Sequence, residues 1–435
     1  MLNTYLEVIE MKKIKLNVVN ETIYYEKLDN GLEIYIYYDK DTKNSGACYL
    51  TKFGGLDTEF IPIGEKEMIK VPTGIAHFLE HKLFEQESGD SVHEFYKKSG
   101  TYNNAMTDYK TTNYIINGPI NFKENLEFLL KYVNSPYFTD KNVEKEKGII
   151  LEEESMGKDN PNRLFFETVN RNLFNSIPYD KKIIGTREDI KSITKEELYT
   201  CYNTFYNPSN MVLFVVSNLK PEEVIDIAKK NTKNIKEVKI IKKEYDEKEE
   251  VRKEKEVIHS DKVNETRMSY SLKYKASRFN ATKAELDVYL RIFIFITVGE
   301  LSDFNIELKN KKIIKDDIFT YVDFEESANG DYVIININAL TDKTNEFIKL
   351  LEDRLNKKEY NEEDFNLYRK DLLAHMLWGV NSRSNIMNSM VRMYLFNKKI
   401  DNEIIDMRSN LNFKKFEEIV DKLTFNNKSI VIIKK

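Results

Sequence analysis

The chain is short of the residues that mark several protein classes. It has two cysteines, Cys48 and Cys201, far apart in 435 residues; they form neither a disulfide framework nor a Cys-x-x-Cys metal clip, so a reduced compartment is expected. Long apolar runs are missing as well. The longest, residues 292–298, contains a threonine and falls far below the roughly 20 residues that cross a bilayer, which excludes helical membrane insertion. The first ten residues carry acids where a secretory leader would carry basic residues and an apolar core, so a cytoplasmic location is expected. No single sign of charge dominates either: 67 basic and 72 acidic residues leave a net charge of −5, and no global field favours nucleic acid or an anionic membrane. Partners must be chosen by local sites.

What is present is enough apolar and aromatic content, 41% and 12%, for sizeable cores. Histidine is scarce, with five in the chain, yet two of them bracket a glutamate in the stretch of residues 73–85. At about 100° per residue a helix projects His77, Glu80 and His81 from one face. Histidines at i and i+4 can offer neutral ring nitrogens to one Zn²⁺, and the glutamate can act as general base on a water activated by the metal. The bland alternative is a surface helix with two ordinary histidines. A third protein ligand must come from elsewhere.

Residues 22–53 alternate as strands broken by Asn30-Gly31 and closed by Gly54-Gly55, and a short helix is expected from Ser91 to Lys98. His93 falls in it, without a metal-spaced partner, and is expected to be an ordinary, partly buried histidine. Residues 102–117, rich in Thr and Tyr, read as two strands. On their own residues they are an ordinary antiparallel pair, although polar strands near a metal could also take up an extended peptide by strand addition. The helix expected over residues 141–158 is more informative. Val143, Ile149, Ile150 and Met156 define an apolar arc with Glu146 and Glu153 near its middle, while Glu152 points away and Glu154 to the edge. Carboxylates inside an apolar arc need a cation or donors. Glu153 is therefore the candidate third ligand, and Glu146 a supporting acid that orients a ligand histidine; the alternative is a charged surface helix.

His77-Phe-Leu-Glu80-His81, followed some seventy residues later by Glu146-Lys-Gly-Ile-Ile-Leu-Glu-Glu153, resembles the pitrilysin/insulinase family of inverted zinc peptidases. Within it the chain is similar to short bacterial members akin to processing peptidases and bacteriocin-maturation peptidases. Asn104-Ala105-Met-Thr, Thr112-Asn-Tyr114, Asp159-Asn-Pro161, Gly185-Thr186 and Phe205-Tyr-Asn-Pro-Ser-Asn add to the likeness, which is close over residues 30–220. The resemblance implies one Zn²⁺ per chain held by His77, His81 and Glu153, with Glu80 as catalytic base and Glu146 in support. It also implies that the strand with Asn104 and Ala105 binds substrate as an added strand.

Residues 233–262 shift to mixed charge without apolar periodicity and read as a solvated connector, with His259 exposed at its end. The second half repeats the element order of the first without its histidines. The pair Lys195…Met211-Val-Leu-Phe and Lys414…Ile430-Val-Ile-Ile has one spacing from helix to strand, as an internal duplication predicts. The expected fold is α+β: two homologous mixed domains, residues 1–232 and 263–435, each an antiparallel-rich sheet covered by helices, facing each other across a cavity. His375, among Leu372, Leu373 and Trp378, is expected to be a packing histidine.

The expected function is zinc-dependent hydrolysis of short or unfolded peptides, including maturation of a ribosomally made peptide. Two other readings are a non-catalytic assembly or scaffold subunit on the same fold, and a structural zinc protein; structural sites usually close four protein ligands on the metal. Many members of the family carry an Arg and a Tyr in the second half that hold the substrate carbonyl. Here Lys398 stands at the plausible Arg position, and Arg392 and Tyr394 are wrongly spaced. The resemblance therefore implies either a paralogous subunit supplying the Arg–Tyr pair or a homodimer.

Overall fold

The computed structural model describes residues 11–16, 20–158, 160–379, 383–402, 406–407 and 410–435. Its strands are β1 (Lys12–Leu16), β2 (Glu21–Lys27), β3 (Glu33–Tyr38), β4 (Ser45–Thr51), β5 (Glu59–Ile61), β6 (Ile69–Lys70), β7 (Tyr102–Thr107), β8 (Thr112–Gly118), β9 (Met211–Ser217), β10 (Ile241–Lys242), β11 (Lys255–His259), β12 (Arg267–Lys275), β13 (Phe319–Glu325), β14 (Tyr332–Leu340) and β15 (Lys428–Lys434). The chain divides into two compact units, one of residues 1–148, 188–242 and 378–402, the other of residues 149–187, 243–377 and 403–435.

The first unit is built on a seven-stranded sheet in the order β1-β2-β3-β9-β4-β8-β7. β3 and β9 run parallel and the other neighbours antiparallel. β4 and β9 are buried along their whole length, as expected of central strands covered on both faces. Thr51 donates to the Phe205 carbonyl, at the end of the helix Lys195–Phe205, on one face. Gly46, five residues earlier and so on the opposite face, lies against Met387 of the helix Arg383–Asn397.

The second unit holds a five-stranded sheet in the order β11-β15-β12-β14-β13, with β11 and β15 parallel and the rest antiparallel. Taken in chain order, these strands repeat the arrangement of β3, β4, β7, β8 and β9: first beside last, then second, fourth and third. Orientations match as well. The helices Lys195–Phe205 and Phe413–Asp421 each precede the last strand of their set, in accord with the duplication.

The compact units do not follow the two halves of the sequence, because each half lends a helix to the other's sheet. The helix Pro161–Leu173 packs on β15 and β12, while Arg383–Asn397 packs on β9 and β4. The stretch 233–262 also differs from the solvated connector expected. β10 pairs with β5 and β11 with β15. Glu247 between them is 1% exposed, and its carboxylate accepts from the backbone N–H groups of Asn175, Ser176 and Ile177 and from the buried Lys273 ammonium, 2.8 Å away. Among the described residues no helix is long and apolar enough to cross a membrane.

Candidate metal centre

Helix α1 (Ile75–Lys82) begins at Gly74, whose φ of 86° is left-handed and favours glycine. It has no acid in its first turn, and His81 and Lys82 lie in its last, where the helix dipole favours positive charge. Ile75, Ala76, Phe78 and Leu79 are buried. His77 and His81 are half-buried, their ring centroids 4.6 Å apart at 55°. Lys82 is fully buried; its ammonium pairs with Glu85 and donates to the Asn142 carbonyl at 3.4 Å. That bond ties α1 to the start of the helix Asp140–Lys158.

Four helices suffice to describe the site: α1, α2 (Val92–Lys98), α3 (Phe122–Val133) and α4 (Asp140–Lys158). The buried stripe of α4 is not the arc expected from its apolar residues. Ile149 is 45% and Met156 78% exposed, whereas Val143, Glu146, Ile150 and Glu154 are buried. The stripe repeats at spacings of three and four and includes two carboxylates, so hydropathy alone misplaces it. Glu154, expected at the edge, pairs with Arg187 at 3.3 Å and Lys182 at 3.7 Å.

Glu146 lies with its Oε1 3.0 Å from His81 Nδ1. A carboxylate only accepts, so Nδ1 carries the proton, and in the neutral ring Nε2 then keeps its lone pair, the tautomer a metal ligand needs. His77, His81 and Glu153 each offer one ligand atom, and these atoms lie within 4.8 Å of one another. Among the described residues no other group of His, Cys, Asp and Glu gathers in this way. Two imidazoles and one carboxylate suit Zn²⁺, and three protein ligands leave a coordination position open, as catalytic zinc sites do. The residues present fit the ion.

Glu80 projects from the same helix and is 8% exposed. Thr107, the last residue of β7, donates its hydroxyl proton to Glu80 Oε2 at 2.6 Å. Thr107 pairs with Thr112 of β8, which pairs in turn with Thr51, so Glu80 stands over the sheet face that carries Phe205. Beneath it Tyr114 and Tyr206 share a hydrogen bond of 2.8 Å. Burial, with the charge of Glu80 adding to it, pushes both phenols well above their ordinary range and keeps them protonated. Sequence reasoning missed Thr107, although the two threonines five apart at a strand–turn–strand were a usable signal.

Among the described residues β7 pairs on one side only, with β8, and so forms an edge of the sheet. Asn104 on it is exposed and Ala105 half-buried. His93 is exposed rather than partly buried, since α2 presents it at the rim of the sheet. It stacks on Phe84 at 4.9 Å and accepts from the Asn103 amide at 2.9 Å. His259 is exposed as expected. The His375 side chain lies outside the described residues.

Two family models match the chain: "Insulinase (Peptidase family M16)" over residues 61–187 and "Peptidase M16 inactive domain" over residues 192–372. The uncharacterized zinc protease YmfH of Bacillus subtilis is 44% identical over 252 residues, 57% of this chain and 58% of that protein. An uncharacterized zinc protease of Rickettsia felis is 25% identical over 223 residues, 50% of this chain and 52% of its own length. The chain thus spans little more than half the length of these curated relatives. An M16-like peptidase from Alicyclobacillus acidocaldarius has a similar structure, with a TM-score of 0.84 at 24% identity, covering 94% of this chain and 97% of that one. A protease from Helicobacter pylori follows at 0.77 and 19%, covering 95% and 100%. At these identities the likeness is one of fold.

Proposed function

The chain belongs to the pitrilysin/insulinase (M16) family of peptidases, and from that premise we propose that it is a zinc-dependent endopeptidase acting on short or unfolded peptides. The observation that carries the reading is the gathering of His77, His81 and Glu153, their ligand atoms within 4.8 Å, on the helix pair that also carries Glu80 and Glu146. His77, His81 and Glu153 would hold the ion. When bound, zinc supplies Lewis-acid polarisation of a carbonyl and lowers the pKa of water.

The chain's own residues do the rest. Glu146 holds His81 in its tautomer and fixes the ring. Glu80 takes the proton of the attacking water and passes it to the leaving amine. The edge of β7, with Asn104 and Ala105, pairs with the main chain of an extended peptide, which recognises backbone with little regard to side chains. A ribosomally made precursor is a substrate of this kind. The free, buried cysteines Cys48 and Cys201 agree with work in the cytoplasm.

A second subunit supplying an Arg–Tyr pair completes the proposal. Tyr394, the tyrosine beside Lys398, is 2% exposed and donates to Glu33 at 2.7 Å, which occupies its hydroxyl. The test offers a quenched-fluorescent peptide library to the purified, zinc-loaded chain. Wild type is expected to cleave, and Glu80→Gln to bind zinc normally and not cleave. A Glu80→Gln protein that still hydrolyses peptides sinks the mechanism, and a wild-type turnover that does not rise with a paralogous chain present removes the partner.

A further inference from the structure

We infer that Thr107 is a positioning residue for Glu80: its hydroxyl sets the rotation of the carboxylate, so that the strand meant to receive the peptide also aims the base. The inference rests on the peptidase reading above. Its ground is the direction of two hydroxyl protons. Thr112 donates to the Phe53 carbonyl at 2.9 Å, which uses its single proton. The Thr107 hydroxyl then has two acceptors in reach, Glu80 Oε2 at 2.6 Å and Thr112 Oγ1 at 3.2 Å. The shorter contact is to a carboxylate, and hydrogen bonds to charged acceptors are about twice as strong as neutral ones. The proton of Thr107 therefore points at Glu80.

The hydroxyl is held there by an over-determined hairpin. Asp108 donates its N–H to the Thr111 carbonyl at 2.9 Å, while its own carboxylate accepts from the N–H groups of Lys110 and Thr111 at 2.7 and 2.6 Å. The carbonyls of Asp108 and Tyr109 accept from Gly55 and Leu56, each at 2.9 Å. A Cβ on Gly54 would lie 2.5 Å from the Lys110 nitrogen, so the loop closes on the hairpin as tightly as glycine permits. Thr107 thus cannot follow Glu80 if the carboxylate turns. A carboxylate on a flexible stem is a poor base unless its orientation is fixed before reaction, and a rigid donor on a strand fixes it without reorganisation.

The test compares Thr107→Val, which keeps the shape and removes the proton, with Thr107→Ser, which restores it. With the quenched peptide library as substrate, Thr107→Val is expected to lower kcat about tenfold or more, the effect of one lost hydrogen bond to a charged group. KM and bound zinc stay within about twofold, and Thr107→Ser recovers at least about half of the wild-type kcat. A Thr107→Val enzyme with wild-type kcat overturns the inference. So does a Thr107→Ser enzyme as impaired as Thr107→Val, or a Thr107→Val protein that loses its zinc, because either outcome marks a structural role. Crystal structures of wild type and Thr107→Val decide the matter independently of turnover: a Glu80 carboxylate in the same rotamer in both also overturns it. If wild type itself cleaves nothing, the peptidase reading fails, and the two structures still report on Thr107.

Discussion

His81 Nδ1 and Glu146 Oε1 stand 3.0 Å apart, and this one bond decides which nitrogen of the imidazole is left for a metal. The two residues come from different helices, α1 and α4, joined a second time through Lys82 and the Asn142 carbonyl. His81 is thus held at its ring, and the helix that carries it is tied to α4 through the side chain of the next residue.

Glu146→Gln keeps the shape of the side chain but removes the charge that favours the Nδ1–H tautomer. Zinc affinity is expected to fall about 10–100-fold, the usual effect of losing a partner that orients a ligand. Competition against a fluorescent chelator measures it. An unchanged affinity would mean that His81 is oriented by its packing alone.

Glu153 and Glu154 are neighbours in sequence with opposite expected phenotypes. Glu153 is exposed, so Glu153→Gln should leave the thermal stability of the metal-free protein unchanged and weaken zinc binding. Glu154 is 3% exposed against Arg187 and Lys182. Glu154→Ala should cost about 1–3 kcal/mol of stability by leaving the cluster without its acceptor, yet still bind one zinc. Calorimetry and metal analysis of the two variants together read this out, and the reverse pattern would move the ligand assignment to Glu154.

Glu247 sets a pH dependence in the second unit. Burial would raise its carboxyl, but the N–H groups of Asn175, Ser176 and Ile177 together with Lys273 outweigh that and hold it below the ordinary carboxylate range. A depressed folded pKa stabilises above the unfolded value, about 4.3, and that stability is lost as pH falls through the folded value. Urea unfolding between about pH 5 and pH 3 should therefore show a steeper loss for wild type than for Glu247→Gln. Lys273→Met at pH 7 should cost about 3–5 kcal/mol, because it strands a buried carboxylate. Equal pH slopes in wild type and Glu247→Gln would show that this carboxylate is not the acid-sensitive group.

Much of the site could be read in advance because its chemistry is local. His77, Glu80 and His81 share a face once residues 75–82 are helical, and that follows from spacing alone. The strands around residues 22–53 and 102–117 announce themselves by β-branched and aromatic content and by their turn residues. Longer-range features are not legible where a charged side chain is buried. Glu154 reads as an edge position and Glu247 as a solvated acid, yet both are buried against Arg187, Lys182 and Lys273, partners about 26–33 residues away in the chain that no local pattern reveals. The exposed Ile149 and Met156 misled for the converse reason: an apolar side chain does not reveal by itself which face the fold will cover.

The sequence by itself determined the order of the main elements, the matching spacing from helix to last strand in the two halves and the residue types able to bind zinc, since periodicity and side-chain chemistry are properties of neighbours along the chain; β11, the first strand of the second set, lies in the stretch that reads as a connector. Tertiary structure decided the rest. It selected the buried face of α4, exchanged a helix between the two sheets, set the His81 tautomer through Glu146 and brought Thr107 to Glu80. Those outcomes depend on which distant groups share one space, and only the packed chain specifies that.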